Sequence, residues 1–237
     1  MNGLIALLGS GEYLPVMDPV DRYLLNSLDL KDRQARVVCL PTGAGGEGSE
    51  SVNRWSRMGL EHFQALGAEV VALPIVDSTS ADDPGYEPIL ESADLIYFSG
   101  GDPLYLYETM HGSRAWAAAQ KAWARGAIYA GCSAGAMILA EQMPNFRRAG
   151  LGSRSGFGLM PATYIMPHFD QIPAFFKPMI FAVRRSLKDE QFVLGIDETT
   201  AMVGKRGGDW KVMGSGKVHL ITKKSEQVYT AGQTVPL

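Results

Sequence analysis

A chain of 237 residues with 46% hydrophobic and 20% charged side chains has an ordinary globular make-up, which excludes disorder and supplies enough apolar residues for a sizeable core. A formal charge of −3 and a pI near 5.8 give no basic footprint, so neither nucleic acid nor an anionic membrane is an expected partner. Cys39 and Cys132 are the only cysteines, which excludes a disulfide framework and a thiolate metal cluster and fits a reducing, cytoplasmic setting.

The opening run MNGLIALLGSGE has no basic segment before its apolar residues and meets glycines at once. It reads as a first strand, Leu4 to Leu8, rather than as a signal peptide. A helix over Asp21 to Leu28 and a second strand, Ala35 to Leu40, follow. After the glycine-rich loop from Pro41 to Gly48, Ser49 starts a helix that runs to about Leu66, with Trp55, Leu60, Phe63 and Leu66 on its apolar side. Glu69 to Pro74 is the third strand, Asp77 to Gly85 a loop, and Asp94 to Phe98 the fourth strand, ending at Ser99-Gly100-Gly101-Asp102-Pro103. Helices over Pro103 to Met110 and Arg114 to Arg125 precede a strand at Ala127 to Ala130 and a helical stretch at Ala136 to Gln142. Beyond a loop from Gly150 to Gly158, the pattern gives a short strand at Tyr164 to Met166, a helix over Pro173 to Leu187 and a strand at Phe192 to Ile196. The tail alternates apolar and polar residues through Ala201-Met202-Val203, Trp210 to Met213 and Val218 to Ile221, as an antiparallel meander on a sheet edge does. No run approaches the about 18 apolar residues of a membrane helix. The expectation is one α/β domain over residues 1–237, a mostly parallel sheet covered by helices on both faces, with a C-terminal antiparallel edge.

The stretch AIYAGCSAGAM, 127 to 137, carries G-x-S-x-G between a strand and a helix, the context of a nucleophile elbow. Gly131, Ala134 and Gly135 supply the small residues that a sharp strand-to-helix turn demands, and Ser133 is the candidate nucleophile. A serine needs a base, and the base needs an orienting group. His168 follows an apolar strand in the loop position where parallel sheets collect catalytic groups, whereas His62, His111 and His219 read as surface or structural residues. Glu198, at the end of a separate strand, is the favoured acid, with Asp170 as its rival and Asp197 as a buried partner of nearby backbone. The order serine, histidine, acid differs from that of α/β-hydrolases and argues against an ordinary lipase or esterase. The N–H of Ala134 and that of Gly100 or Gly101 are the candidate oxyanion donors, with Asp102 as a helix cap beside them. Cys132 is the alternative nucleophile for an amidotransferase-like or deglycase-like enzyme, but as the first x of the motif it should point into the core. A noncatalytic binding protein on the same fold is a further alternative. No zinc motif such as H-E-x-x-H is present and no cofactor is expected.

The segments YFSGGDP (97 to 103), AGCSAGAM (130 to 137), PHFD (167 to 170) and GIDETTA (195 to 201) together resemble the dipeptidase E and cyanophycinase family of serine peptidases. That resemblance implies a fold like the class I glutamine amidotransferases, a serine dipeptidase or exopeptidase activity on short peptides, and the roles of nucleophile, base and acid for Ser133, His168 and Glu198. It also implies an oxyanion loop at Gly100 and Gly101. Cys132 departs from the threonine or tryptophan that those relatives carry before the nucleophile. The basic residue for an aspartyl carboxylate has several candidates, Arg147, Arg148, Arg154, Arg184 and Arg185, and Glu12 is a candidate contact for a substrate amine. Long loops at 77–85 and 150–158 are the expected walls of a pocket closed to long chains. A homodimer is an expectation for this class.

Overall fold

The computed structural model describes residues 2–144, 153–173 and 177–237. Fourteen strands lie among them: β1 (Ile5–Leu8), β2 (Arg36–Leu40), β3 (Glu69–Ala72), β4 (Leu95–Phe98), β5 (Ile128–Cys132), β6 (Ala140–Pro144), β7 (Ser153–Ser155), β8 (Met160–Met166), β9 (Phe192–Ile196), β10 (Thr200–Gly204), β11 (Asp209–Gly214), β12 (Lys217–Thr222), β13 (Glu226–Thr230) and β14 (Thr234–Pro236). The helices are α1 (Asp18–Asn26), α2 (Ser49–Ala65), α3 (Ser78–Ala81), α4 (Glu87–Glu91), α5 (Pro103–Met110), α6 (Arg114–Arg125), α7 (Ala134–Met137) and α8 (Lys177–Ser186).

The strands form two sheets rather than one. The first has the order β14-β11-β10-β1-β5-β4-β2-β3, and the second β13-β12-β9-β8-β6-β7. Within the first, β1, β5, β4, β2 and β3 run parallel, while β10, β11 and β14 add the antiparallel edge. The mixed sheet with helices against it is the expected fold class, but the C-terminal tail is not a single meander. β10 and β11 belong to the first sheet, β12 and β13 to the second, and β14 returns to the first. The turn at 214–216 is the crossing point, tied to the β9–β10 link and the start of β10 by Ser215 N–H to Thr199 O at 3.0 Å and Gly216 N–H to Thr200 Oγ1 at 2.9 Å.

Why the central strands read as unbroken apolar runs is visible in their two faces, since successive side chains alternate across a sheet. Ile5, Leu7, Val38, Leu40, Ile96 and Phe98 enter one core with Leu194, Ile196 and Val218 of the second sheet, so the two sheets share it. Ala6, Leu8, Val37, Cys39, Tyr97 and Cys132 enter another core, with Val20 and Leu24 of α1 and Phe63 of α2. The edge strand β3 exposes Glu69 and Val71 instead.

Three local expectations are corrected. Ala136 to Gln142 is one helical turn followed by β6, because the segment after β7 pairs with it: Phe157 N–H donates to Ile138 O at 2.7 Å and Met160 N–H to Leu139 O at 2.8 Å. Tertiary pairing overrides the helix preference of this alanine- and leucine-rich stretch. Asp77 to Gly85 is folded, with Asp77 and Ser80 in a reciprocal cap of α3 and Asp82 accepting from Arg114 N–H at 3.0 Å. His62, read as a surface or structural residue, is not at the surface but is a buried partner of Asp21 at 2.8 Å.

Candidate active site

The site is assembled where the two sheets meet. Ser133 follows β5 of the first sheet with φ 49° and ψ −108°, a positive-φ conformation that a non-glycine residue adopts at a cost of about 1–3 kcal/mol. Its neighbours must be small: a Cβ on Gly131 would stand 2.2 Å from Gly135 O, and one on Gly135 would stand 2.5 Å from Phe98 O. Ser133 N–H is held by Leu8 O at 3.0 Å, and Ala134 opens the turn α7 directly after it.

His168 stands at the end of β8 in the second sheet, with φ 51° and ψ 36°. Its Nε2 is 3.0 Å from Ser133 Oγ, and its Nδ1 is 2.7 Å from Glu198 Oε1. Glu198 lies on the link from β9 to β10, where the chain passes from the second sheet to the first. Both side chains are partly open to solvent, 42% for His168 and 39% for Glu198. Of the three acids weighed in the sequence, only Glu198 meets His168. Asp170 Oδ1 accepts the Glu198 N–H at 2.8 Å, so the rival acid braces the favoured one. Burial opposes the charge of Asp170, but the Glu198 N–H, the Gln171 amide and its own N–H outweigh it and hold the carboxyl below its ordinary range. Asp197 is buried, accepts from Lys217 N–H at 3.0 Å, and has its other oxygen facing the His219 ring at 3.5 Å without a hydrogen bond. That burial pushes its carboxyl above the ordinary value, against the pull of His219 and the Lys217 N–H.

His219, read from the sequence as a surface or structural residue, takes a structural place beside the site. Its ring packs on Phe169, the residue after His168, with centroids 4.7 Å apart. It also stands between Asp197 and Glu226, the latter at 3.1 Å. The sequence signal was weak, because a histidine alternating along an edge-like strand has no local mark of what lies across the sheet.

The loop after β4 is fixed on three sides. Asp102 caps α5, accepting from Leu104 N–H at 2.8 Å and Tyr105 N–H at 3.1 Å, and its own N–H donates to Gly43 O at 2.9 Å. Gly100 N–H donates to Glu12 Oε1 at 2.8 Å, while Cys132 Sγ–H donates to Glu12 Oε2 at 2.9 Å. Glu12 is 7% exposed, so the residue considered for a substrate amine is instead committed beneath the loop. Cys132 is fully buried, and burial together with the Glu12 charge holds its thiol well above the ordinary range. A thiol so placed is no nucleophile.

The remaining candidates lie elsewhere. Arg154 is exposed and pairs with Glu108 at 3.1 Å, Arg184 Nε donates to Thr222 O at 3.0 Å, and Arg185 lies over the Phe181 ring. Arg147 and Arg148 fall outside the described residues, as do 150–152 of the second expected wall. Its described part is anchored, with Phe157 stacked on Trp116 at 3.9 Å. Among the described residues no group of three or more histidine, cysteine or acidic side chains forms a metal site. No helix there is long and apolar enough to cross a membrane.

An α/β sheet presenting a serine, a histidine and a glutamate in hydrogen-bonded series has the constellation of acyl-transfer hydrolases. The chain belongs to peptidase family S51, whose model matches residues 5–209. It is similar to a peptidase of known crystal structure from an acI-B1 actinobacterium, with 34% identity, a TM-score of 0.91 and coverage of 100% of this chain and 98% of that one. It is 27% identical over 170 residues to a cyanophycinase of Nostoc sp. (strain PCC 7120 / SAG 25.82 / UTEX 2576), covering 67% of this chain and 55% of the relative. The chain thus spans about half the length of that relative. The uncharacterized peptidase YgaJ of Bacillus subtilis (strain 168) is 28% identical over 174 residues, covering 72% of this chain and 70% of the relative. The family expected from the four motifs is therefore the family found.

Proposed function

We propose that the protein is a serine-type peptidase that cleaves a peptide or isopeptide bond in a small peptide through an acyl-enzyme. The observation that carries this reading is the chain of contacts from Ser133 Oγ to His168 Nε2 at 3.0 Å and from His168 Nδ1 to Glu198 Oε1 at 2.7 Å. His168 takes the Ser133 proton as Oγ attacks the scissile carbonyl, and Glu198 stabilises the imidazolium that forms. The tetrahedral oxyanion is met by the N–H groups of Ala134 and Gly101, because the Gly100 N–H is taken by Glu12. His168 then gives its proton to the leaving amine, and water attacks the ester by the same route in reverse. Asp170 and Asp197 support the acid and its strand rather than react.

Substrate size follows from charge. Two carboxylates stand beside the base, Glu198 on His168 and the exposed Asp170 on the Glu198 N–H, and the complementary handle on a substrate is a protonated amino terminus. Captured terminal charge would help orient the scissile carbonyl. The two thiols, both free and buried, suit a cytosolic home. The test compares kcat/KM for a free dipeptide, its N-acetylated form and an internally cleavable decapeptide with the same scissile pair, in a panel that includes α-aspartyl and β-aspartyl bonds. The free dipeptide should lead by at least about 10-fold. Equal values for all three would point to an open endopeptidase or esterase cleft instead.

A further inference from the structure

The loop Ser99 to Asp102 must aim one N–H at an oxyanion that exists only during the reaction, and a glycine pair does not hold itself still. Three observations bear on what holds it. First, Glu12 is a buried carboxylate with one oxygen on Gly100 N–H at 2.8 Å and the other on Cys132 Sγ at 2.9 Å, which links the oxyanion loop to the residue immediately before the nucleophile. Second, Gly100 is wedged between Glu12 and the nucleophile: a Cβ there would lie 2.8 Å from Glu12 Oε1, 3.4 Å from Ser133 Cβ and 3.9 Å from Ser133 Oγ. Third, the Gly100 carbonyl lies against Gly43, close enough that a Cβ on Gly43 would stand 2.5 Å from it.

The peptide between Gly100 and Gly101 is trans, so its N–H points opposite to its carbonyl. Gly43 follows β2, and β4 lies between β2 and β5 in the sheet. An N–H directed away from Gly43 is therefore directed toward β5 and Ser133. Gly101 is exposed with φ 128°, a conformation for glycine. If the Gly100 N–H were released from Glu12, the preceding peptide could rotate and carry the next N–H off its line.

We propose that Glu12 is a positioning residue of the oxyanion hole: by accepting the Gly100 N–H and the Cys132 thiol together, it fixes the distance between nucleophile and oxyanion loop and leaves Gly101 as the loop's donor. What it contributes is an acceptor at a set reach, not a charge for the substrate. This rests on Ser133 as the nucleophile, and the test separates the two claims.

A fluorophosphonate serves as probe, since its P=O oxygen must enter the same hole as Oγ attacks phosphorus and fluoride leaves; attachment is read by mass on the peptide containing Ser133. Saturation kinetics separate the chemical rate constant, kinact, from the binding constant, KI. E12Q keeps an acceptor at full reach for the Gly100 N–H and turns its amide N–H onto Cys132 Sγ, a weak acceptor, so that both contacts persist and kinact is expected to hold within about threefold. E12D keeps the charge but is shorter by one carbon–carbon bond, ~1.5 Å, and should lower kinact by about 10²-fold with KI unchanged. Loss of rate in E12Q with retention in E12D would overturn the proposal in favour of a charge role, and so would an unchanged kinact in E12D or a change confined to KI. Labelling that persists in S133A would show that the nucleophile reading itself had failed. Hydrogen exchange on the unsubstituted protein reads the same contact even if a variant folds poorly: the Gly100 amide should exchange at least about 10-fold more slowly than the Gly101 amide. Equal exchange at the two glycines would overturn the fixed-loop role.

Discussion

The two sheets contribute unlike halves to one site. The first brings Ser133, Ala134, Gly100 and Glu12 on a buried framework, where Cys132 and Ala134 have no exposed surface. The second brings His168 and Glu198 with about two-fifths of each side chain exposed, steadied by Asp170 on the Glu198 N–H and by His219 on Phe169. One half is held by packing, in which every methyl counts; the other is held by a few polar contacts near water. Changes in the first half should therefore act as all-or-none events on the chemical step, and changes in the second should be graded.

Ser133→Ala is the sharpest way to break the comparison. Activity on the best dipeptide should fall by at least about 10³-fold, with a melting midpoint within about 2 °C of the parent, since the core around the elbow is untouched. Near-parental kcat would remove Ser133 from its role. Next come the two acids of the second half. Glu198→Gln should lower kcat by about 10²- to 10⁴-fold at unchanged KM, because the imidazolium loses its charged partner. Asp170→Asn should cost no more than about 10-fold, acting only through the placement of Glu198. A reversed order in the steady-state kinetics would redraw the set as Ser133, His168 and Asp170.

The smallest effect lies at the opposite end of β4 from the oxyanion loop. Burial opposes the charge of Asp94, but Arg33, bonded at 2.6 and 2.8 Å, and the Arg36 N–H outweigh it and hold its carboxyl below the ordinary 3.8. A depressed folded pKa adds stability above the unfolded value, and that stability fades as pH falls through the folded one. Asp94→Asn should thus cost at most about 1 kcal/mol near neutral pH, given that half of Arg33 is exposed. The difference should shrink below pH 3.8 while kcat stays unchanged. Denaturant titrations across pH would show it, and a gap that widened in acid would reverse the assignment.

What was legible in the sequence follows the same division. The elbow announced itself because strand, glycines and serine are contiguous, so local sterics alone dictate the pattern. His168 and Glu198 were legible through strand-end position and motif order. Less legible was anything that depends on contacts across the chain. Glu12 reaches Gly100, 88 positions away, and a glutamate after a glycine turn at a strand end reads as a contact for substrate, with no local mark of the backbone it holds. Ala136 to Gln142 has helix-forming residues, yet Phe157 and Met160 pair with it and draw out β6. The tail's alternation correctly gave strands but not their allegiance, since period-two patterning is the same whichever sheet a strand joins.

The division of the site between sheets also sets an order in time. By the moment Ser133 leaves the ribosome, β1 and β4, which flank β5, have been made, and the elbow can find its packing early. His168 and Glu198 come 35 and 65 positions later, and β9, which leads into Glu198, pairs with β12, made later still. An unfinished chain accordingly holds a hydroxyl with nothing to take its proton. Serine, histidine and acid can come together only after β12 has been made and has taken its place beside β9.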